Sequence, residues 1–528
     1  MRKLSPTPFV LLAAFALVAA VAVAPGASAS DEKARARAER ATREGEYETA
    51  EKIYRELVAK DPKDSAARLG LSRALLKQRK NLEAYDHAAR VVAREPESAR
   101  AHALLGAALL GSGDFRLSVE EFRTALSFKD DEAIAIAGLA MVDFYENRIP
   151  QSLSGLRRAA FIDPNEPDYI FNLGQVAARN ERYKEAADAY ETFLRIAPKT
   201  DADRRARIRG LIDFLRYLGQ QGNLLAVGGP NSVTVPFELV NSRPVINVRV
   251  NGSQKTLRFV VDTGAGMCVI SDVAADRLGL KAVARGGMAR AVGGEGRFEI
   301  VYGFLQTLHV GEAKVERVPV YIRRFYNEQE PVDGYIGLSV LGKYLTTVDY
   351  GGRQMSLLRE DEARRATASP APPKSFEVPI RTTSSGFWSG EVSFEGLEKP
   401  VNFIIDTGAS ISVVSKALAA RAGFERYAQA GYIKVYGAAG LADNIQTILL
   451  PHFALGSYTW QNIYAAVLDM DALNETAGFE QTGIVGGNLL RRYRVTFDFT
   501  RGVVRFVPDP RVTPQDDLSQ PAVVSGES

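Results

Sequence analysis

Phe259-Val260-Val261-Asp262-Thr263-Gly264-Ala265 and Phe403-Ile404-Ile405-Asp406-Thr407-Gly408-Ala409 stand 144 residues apart and share one pattern. Each closes an apolar, β-branched run, which reads as a buried strand. Each run ends in a carboxylate on a tight turn, where Gly264 and Gly408 admit the backbone that a side chain would hinder. A single Asp-Thr-Gly is accounted for by an aspartate bonding its own turn. Two copies with matched flanks are what paired-carboxylate chemistry needs. Held within hydrogen-bond reach about a pseudo-twofold axis, both cannot be charged, so one pKa rises and the other falls. The ionised member can take a proton from water while the other donates to a carbonyl oxygen. Asp262 and Asp406 are therefore the candidate catalytic pair. Thr263, Gly264, Thr407 and Gly408 form the supporting turns, with the threonine hydroxyls able to bond across them.

The surroundings match at fixed offsets. Asn251-Gly252 and Glu395-Gly396 read as hairpin turns, 11 residues before each Asp. Ser271 and Ser415, nine residues after it, are placed to cap a short helix, and Gly279 and Gly423, 17 after it, to end that helix. Glycine-rich stretches follow, with Gly293 and Gly437 each 31 past the Asp. Ile336-Gly337 and Val485-Gly486 come later, and 12 residues beyond each Gly lies Asp349 or Asp498. These features resemble the retropepsin-like and pepsin-like aspartic peptidases over about residues 233–508. The resemblance implies an all-β, bilobal, acid-protease-like double barrel with both lobes in one chain. It implies flaps at the glycine-rich stretches, with Gly293, Gly294, Tyr436 and Gly437 as candidates, and apolar-Gly segments passing beneath the Asp turns. One position departs from the pattern: Gly266 stands where Ser, Asp or Asn is usual, whereas the second lobe has Ser410. That weakens the expected support for Asp262. Ala265 and Ala409 resemble the retroviral form, which implies activity at mildly acidic to neutral pH.

Upstream, the pattern is helical and periodic. Pro62, Pro96, Pro164 and Pro198 fall on a 34-residue period, with Asp130 in the missing place. One column reads Ala38, Ser72, Gly106, Ala140, Gly174, and another Ala50, Ala84, Ser118, Ser152, Ala186. Small residues there let paired helices approach. Four residues on, Tyr54, Ala88, Phe122, Leu156 and Tyr190 are mostly large enough to fill the gap between repeats. The spacing resembles the tetratricopeptide repeat over five units, with Arg204 to Leu218 as a capping helix. Such an array implies a protein or peptide partner. His87 and His102 lack neighbours at ligand spacing, so no metal site and no cofactor is expected.

At 528 residues the chain is too long for one domain, and a net charge of +3 points neither to nucleic acid nor to an acidic membrane. Arg2, Lys3, apolar Phe9 to Ala24 and Ala27-Ser28-Ala29 read as an export signal, so a membrane enters only if it stays uncleaved. Cys268 is the single cysteine; no internal disulfide is possible, and it reads as a small buried hydrophobe. His309 and His452 have no nucleophile at a recognisable spacing.

The expected architecture is multidomain, an all-α tetratricopeptide solenoid followed by the β lobes. Residues 1–29 are the signal, 30–220 the repeats, 233–360 and 376–508 the lobes, 361–375 a linker, and 509–528 a disordered tail. The expected function is an exported aspartic endopeptidase acting on a protein or peptide, with the repeats recruiting substrate or partner. The alternative is a non-catalytic, peptide-binding envelope scaffold with degenerate lobes.

Overall fold

The computed structural model describes residues 29–200, 202–291, 296–326, 331–368 and 371–511. All but the last residue of the proposed signal, the candidate flap residues Gly293 and Gly294, and nearly all of the expected tail lie outside them.

Ten helices between Ala29 and Ile196 stack as five antiparallel pairs, and an eleventh, Ala202–Leu218, closes the stack. The small columns work as the spacing predicts. A Cβ at Gly106 would stand 2.8 Å from the Phe122 ring, and one at Gly174 would stand 2.9 Å from Tyr190. The large column reaches the next repeat as well: Tyr54 lies against Gly70 and Phe122 against Gly138. His102 is structural, with Nδ1 2.6 Å from Glu121 and Nε2 2.8 Å from the Pro96 carbonyl.

The array curls until its ends meet. Thr200 Oγ1 donates to the Gly45 carbonyl at 3.4 Å. An ion network crosses the concave face from the second repeat to the fifth. Buried Glu166 accepts from Arg73 at 2.6 Å and from Lys77 at 2.5 Å, and Asp168 accepts from Lys77 at 2.6 Å and Arg204 at 3.3 Å. Burial opposes both charges at its centre and is outweighed. The charges of Asp168 and Glu166 hold the Lys77 ammonium above its usual range, and Lys77 and Arg204 hold Asp168 below its own. A depressed carboxyl contributes stability that is complete above its unfolded pKa, about 3.9. That contribution is lost as pH falls through the folded value, so mild acid leaves this latch intact. Glu166→Gln leaves Arg73 without its carboxylate and Lys77 with Asp168 alone. Because Arg73 is partly solvated, the expected loss is about 2–3 kcal/mol rather than the full cost of a broken buried pair. A urea titration followed by far-UV dichroism measures it; an unchanged helical transition would show that the latch contributes nothing.

The β region has two lobes of one design. In the first, Gly334–Ile336 lies between Leu257–Val261, parallel, and Cys268–Ser271, antiparallel. In the second, Gly483–Val485 lies likewise between Val401–Ile405 and Ser412–Ser415. Ser271 Oγ caps its helix by accepting from Ala274 N–H, and Ser415 Oγ from Leu418 N–H. Asp349 and Asp498 serve turns, accepting from Gly352 and Arg501 N–H.

An antiparallel sheet welds the lobes, running in the order Phe376–Thr382, Val503–Pro508, Tyr493–Asp498, Leu345–Asp349, Gln354–Leu358, Ser232–Pro236. Its central pair joins the lobes directly, with Thr347 and Thr496 hydroxyls 2.9 Å apart. One hydrophobic core, including Phe259, Trp388, Phe403 and Phe497, runs through both lobes. The lobes thus pair within one chain. Two expectations need correction. The segment read as linker begins as a helix, Glu360–Ala368. The tail read as disordered from 509 starts packed, because Asp509 is buried and ion-paired to Arg511 at 2.8 Å.

The array is fixed to both lobes. Phe479 of the second lobe inserts between Phe115 and Tyr145, with ring centroids 4.9 and 5.0 Å away, and belongs to the core of the array. Glu480 N–H donates to the Gly111 carbonyl, and Lys399 pairs with Asp114 at 2.8 Å. On the other side Ala202–Leu218 packs on the first-lobe hairpin of Ala284–Arg290 and Arg297–Val310. Phe214 stacks on Tyr302 at 4.3 Å and Tyr217 meets Phe304 edge-on at 5.4 Å.

Candidate active site

Each apolar strand delivers its aspartate to the same place because the two turns bond each other. Thr263 Oγ1 donates to the Ile405 carbonyl at 2.7 Å, and Thr407 Oγ1 to the Val261 carbonyl at 2.6 Å. Each hydroxyl also accepts the other threonine's N–H, at 3.1 and 3.0 Å. Both threonines are fully buried, so these four bonds form without competing water. The glycines are required by proximity. A Cβ on Gly264 would fall on the Asp406 carboxyl, and one on Gly408 on the Asp262 carboxyl.

Asp262 Oδ1 accepts from Gly264 N–H at 2.8 Å and Asp406 Oδ1 from Gly408 N–H at 2.7 Å, and the two carboxyls bond each other. Burial raises both pKa values. The Asp406 charge pushes Asp262 further, well above the usual carboxylate range. At Asp406 the Gly408 N–H, the Asp262 carboxyl and the Ala409 N–H oppose the rise. Burial and the contact between the carboxyls thus favour one proton held by the pair over two charges.

The apolar-Gly segments pass beneath the turns as the resemblance implies. Asp262 N–H donates to Ile336 carbonyl and Asp406 N–H to Val485 carbonyl, both at 3.0 Å. A Cβ at Gly337 would stand 2.6 Å from the Met267 carbonyl oxygen. Cys268 does more than fill space. Its Sγ accepts the Gly337 N–H at 3.3 Å, as Ser412 Oγ accepts the Gly486 N–H at 3.1 Å in the other lobe. Both sit six residues past their Asp, an offset that could have revealed the shared role. Burial pushes the Cys268 thiol up to about 11, which keeps it unreactive.

The glycine at position 266 has a steric reason. The turn between Phe376–Thr382 and Trp388–Phe394 crosses over it, and a Cβ there would stand 2.6 Å from the Ser385 carbonyl oxygen. Ser410 in the other lobe lines the cleft. Tyr436 and Gly437 lie in the second-lobe hairpin, where Gly437 pairs with Gly440 across the tip and Tyr436 is exposed over the cleft.

Both aspartates face a cavity of about 3100 Å³ whose far wall is the concave side of the array, with Lys77, Phe171, Asn172 and Arg204 among its lining. Gln175 of the fifth repeat donates to the Ser384 carbonyl at 2.7 Å at its edge.

Residues 246–340 and 390–489 match the aspartyl protease family model, and 41–108 and 167–200 match tetratricopeptide-repeat models. The chain thus joins an aspartyl protease domain, in two segments, to tetratricopeptide repeats. Among solved structures it is similar to the aspartic proteinase of Irpex lacteus, at 15% identity and TM-score 0.36, over 53% of this chain and 98% of that one. It is also similar to a thermophilic TPR protein of Thermus thermophilus, at 20% identity and TM-score 0.31, over 34% of this chain and 98% of that one. A third is MamA of Desulfovibrio magneticus, at 19% identity and TM-score 0.24, over 33% of this chain and 99% of that one. No curated protein matches the chain.

Proposed function

We propose that the protein is an aspartic endopeptidase in which Asp262 and Asp406 form one catalytic pair. The observation that carries this reading is the reciprocal bonding of the two Asp-Thr-Gly turns, which holds the carboxyls in mutual contact. Asp406 takes a proton from water as the oxygen adds to the peptide carbonyl carbon, and Asp262 gives its proton to the carbonyl oxygen. The tetrahedral adduct collapses as the proton on Asp406 passes to the departing amine and Asp262 recovers its own. The hairpin Ala428–Leu450, which carries Tyr432 and Tyr436, closes over the chain being cut. The repeats present a substrate segment from within the same cavity, so extended or unfolded chains enter and compact proteins do not. We further propose export, on the basic, apolar and small-residue sequence of the first 29 positions.

Incubation of a mixed peptide library in heavy-oxygen water, from about pH 4 to about pH 8, tests the chemistry. Each new carboxyl should carry one labelled oxygen, and added amines should not trap an acyl intermediate. Trapping would reveal a covalent nucleophile and remove the dyad reading. Absence of cleavage across the range would favour a peptide-binding scaffold.

A further inference from the structure

The two walls flanking the dyad are not equivalent, and the difference is a charge. Strand Ala313–Arg323 runs parallel to Cys268–Ser271, with Arg323 opposite Ser271. In the second lobe, Ile463–Leu468 runs parallel to Ser412–Ser415, with Leu468 opposite Ser415. Because Ser271 and Ser415 occupy the same offset from their aspartates, Arg323 and Leu468 are the same position in the two lobes. Both line the cavity. Leu468 sits in an apolar cluster with Val413, Ala466 and Met470. Arg323 instead lies between two rings, its guanidinium carbon 5.5 Å from the Phe298 centroid and 5.7 Å from Phe325.

The guanidinium is held but not neutralised. Its Nε is buried without a hydrogen-bond partner, and among the described residues no carboxylate forms an ion pair with it. Asp262 acts on it electrostatically, as does the Tyr335 hydroxyl, which places it on the Asp262 side of the dyad. A half-buried cation whose Nε is shielded and left without a partner is costly unless something else completes it. The planar donor fork suits a carboxylate in particular.

We propose that Arg323 forms a subsite for an acidic side chain of the substrate, facing an apolar subsite at Leu468, so that the cleft selects peptides by a carboxylate on one side of the cut and a hydrophobe on the other. The proposal rests on the peptidase reading for the cleft but is tested apart from it. In the Asp406→Asn protein, binding of labelled octapeptides that differ in one central residue is measured by fluorescence polarisation. Glu should bind about ten- to a hundredfold more tightly than Gln or Leu, the range for a hydrogen bond to a charged group. Arg323→Leu should erase that ratio, and Arg323→Glu should turn the preference toward Lys. Equal affinities, or no binding, overturn the subsite whatever the enzyme cleaves. In active protein, cut sites in a peptide library should show acidic residues enriched on one side, with the enrichment lost in Arg323→Leu. If Arg323→Leu shifts the pH profile while the Glu-to-Gln ratio stays fixed, Arg323 tunes Asp262 rather than binding substrate, and the proposal fails.

Discussion

Asp262→Asn and Asp406→Asn are each expected to reduce peptide cleavage by about 10²–10⁴, the range for removing a positioned acid or base. Asparagine keeps the shape but can neither give nor take a proton at neutral pH. Asp262→Asn should also change stability. Asp262 has a folded pKa raised well above its ordinary value, because burial and a neighbouring carboxyl both oppose its charge. Its folded form therefore binds a proton more tightly than its unfolded form. For such a group stability falls as pH rises from the unfolded pKa, about 3.9, through the folded one, at about 1.4 kcal/mol per unit of separation. Asp262→Asn removes that penalty. The inactive protein should melt at a higher temperature than the wild type at neutral pH, and the gap should close as pH approaches the ordinary carboxylate range. Parallel melting curves across pH would show that Asp262 carries no unusual proton affinity in the fold.

The paired Asp-Thr-Gly turns are legible because their pattern is local in sequence: seven residues, repeated, with offsets that recur to the residue. The repeat columns are legible for a similar reason, since a 34-residue period writes contact geometry directly into residue size. What the sequence leaves open depends on distant segments meeting. Nothing in the spacing of Arg73, Lys77, Glu166 and Asp168 says that the second and fifth repeats face each other across a closed array. Phe479 reads as one more apolar residue until it is found inside the helical core. Gly266 reads as a lost polar support because the strand-turn that crosses it lies 119 residues downstream, at Ser385. The segment from 361 combines helix-favouring Ala, Arg and Glu with a proline run. The prolines suggest a linker throughout, although the helix Glu360–Ala368 forms before them.

The same array explains why the two hairpins over the cleft differ. The first-lobe hairpin is backed by Phe214 and Tyr217 of the capping helix, whereas the second-lobe hairpin presents Tyr432 and Tyr436 to the cavity and packs Ile433, Val435 and Ile445 with Leu473 of its own lobe. A fold that is symmetric at its Asp-Thr-Gly turns has become asymmetric at its rim.

The second large effect is expected at the threonines. Thr407→Val keeps the shape and removes the oxygen that both donates to Val261 carbonyl and accepts Thr263 N–H. Two buried backbone groups then lose their partners, at about 1–3 kcal/mol each. The loss falls where the lobes meet, so it should also let the carboxyls drift apart. A displacement of about 1 Å at a reacting centre is worth about a hundredfold in rate. Thr407→Ser restores the oxygen while deleting a methyl in a packed site, and should recover most of the activity and about half or more of the stability. Thr263→Val should behave alike because the bonds are reciprocal. The two singles break different bonds, so the double variant should lose about the sum of the two, and any departure from that sum measures the coupling between the turns. Activity of Thr407→Val within about twofold of wild type, alongside an unchanged urea midpoint, would mean that the interlobe sheet positions the dyad without the threonine bonds.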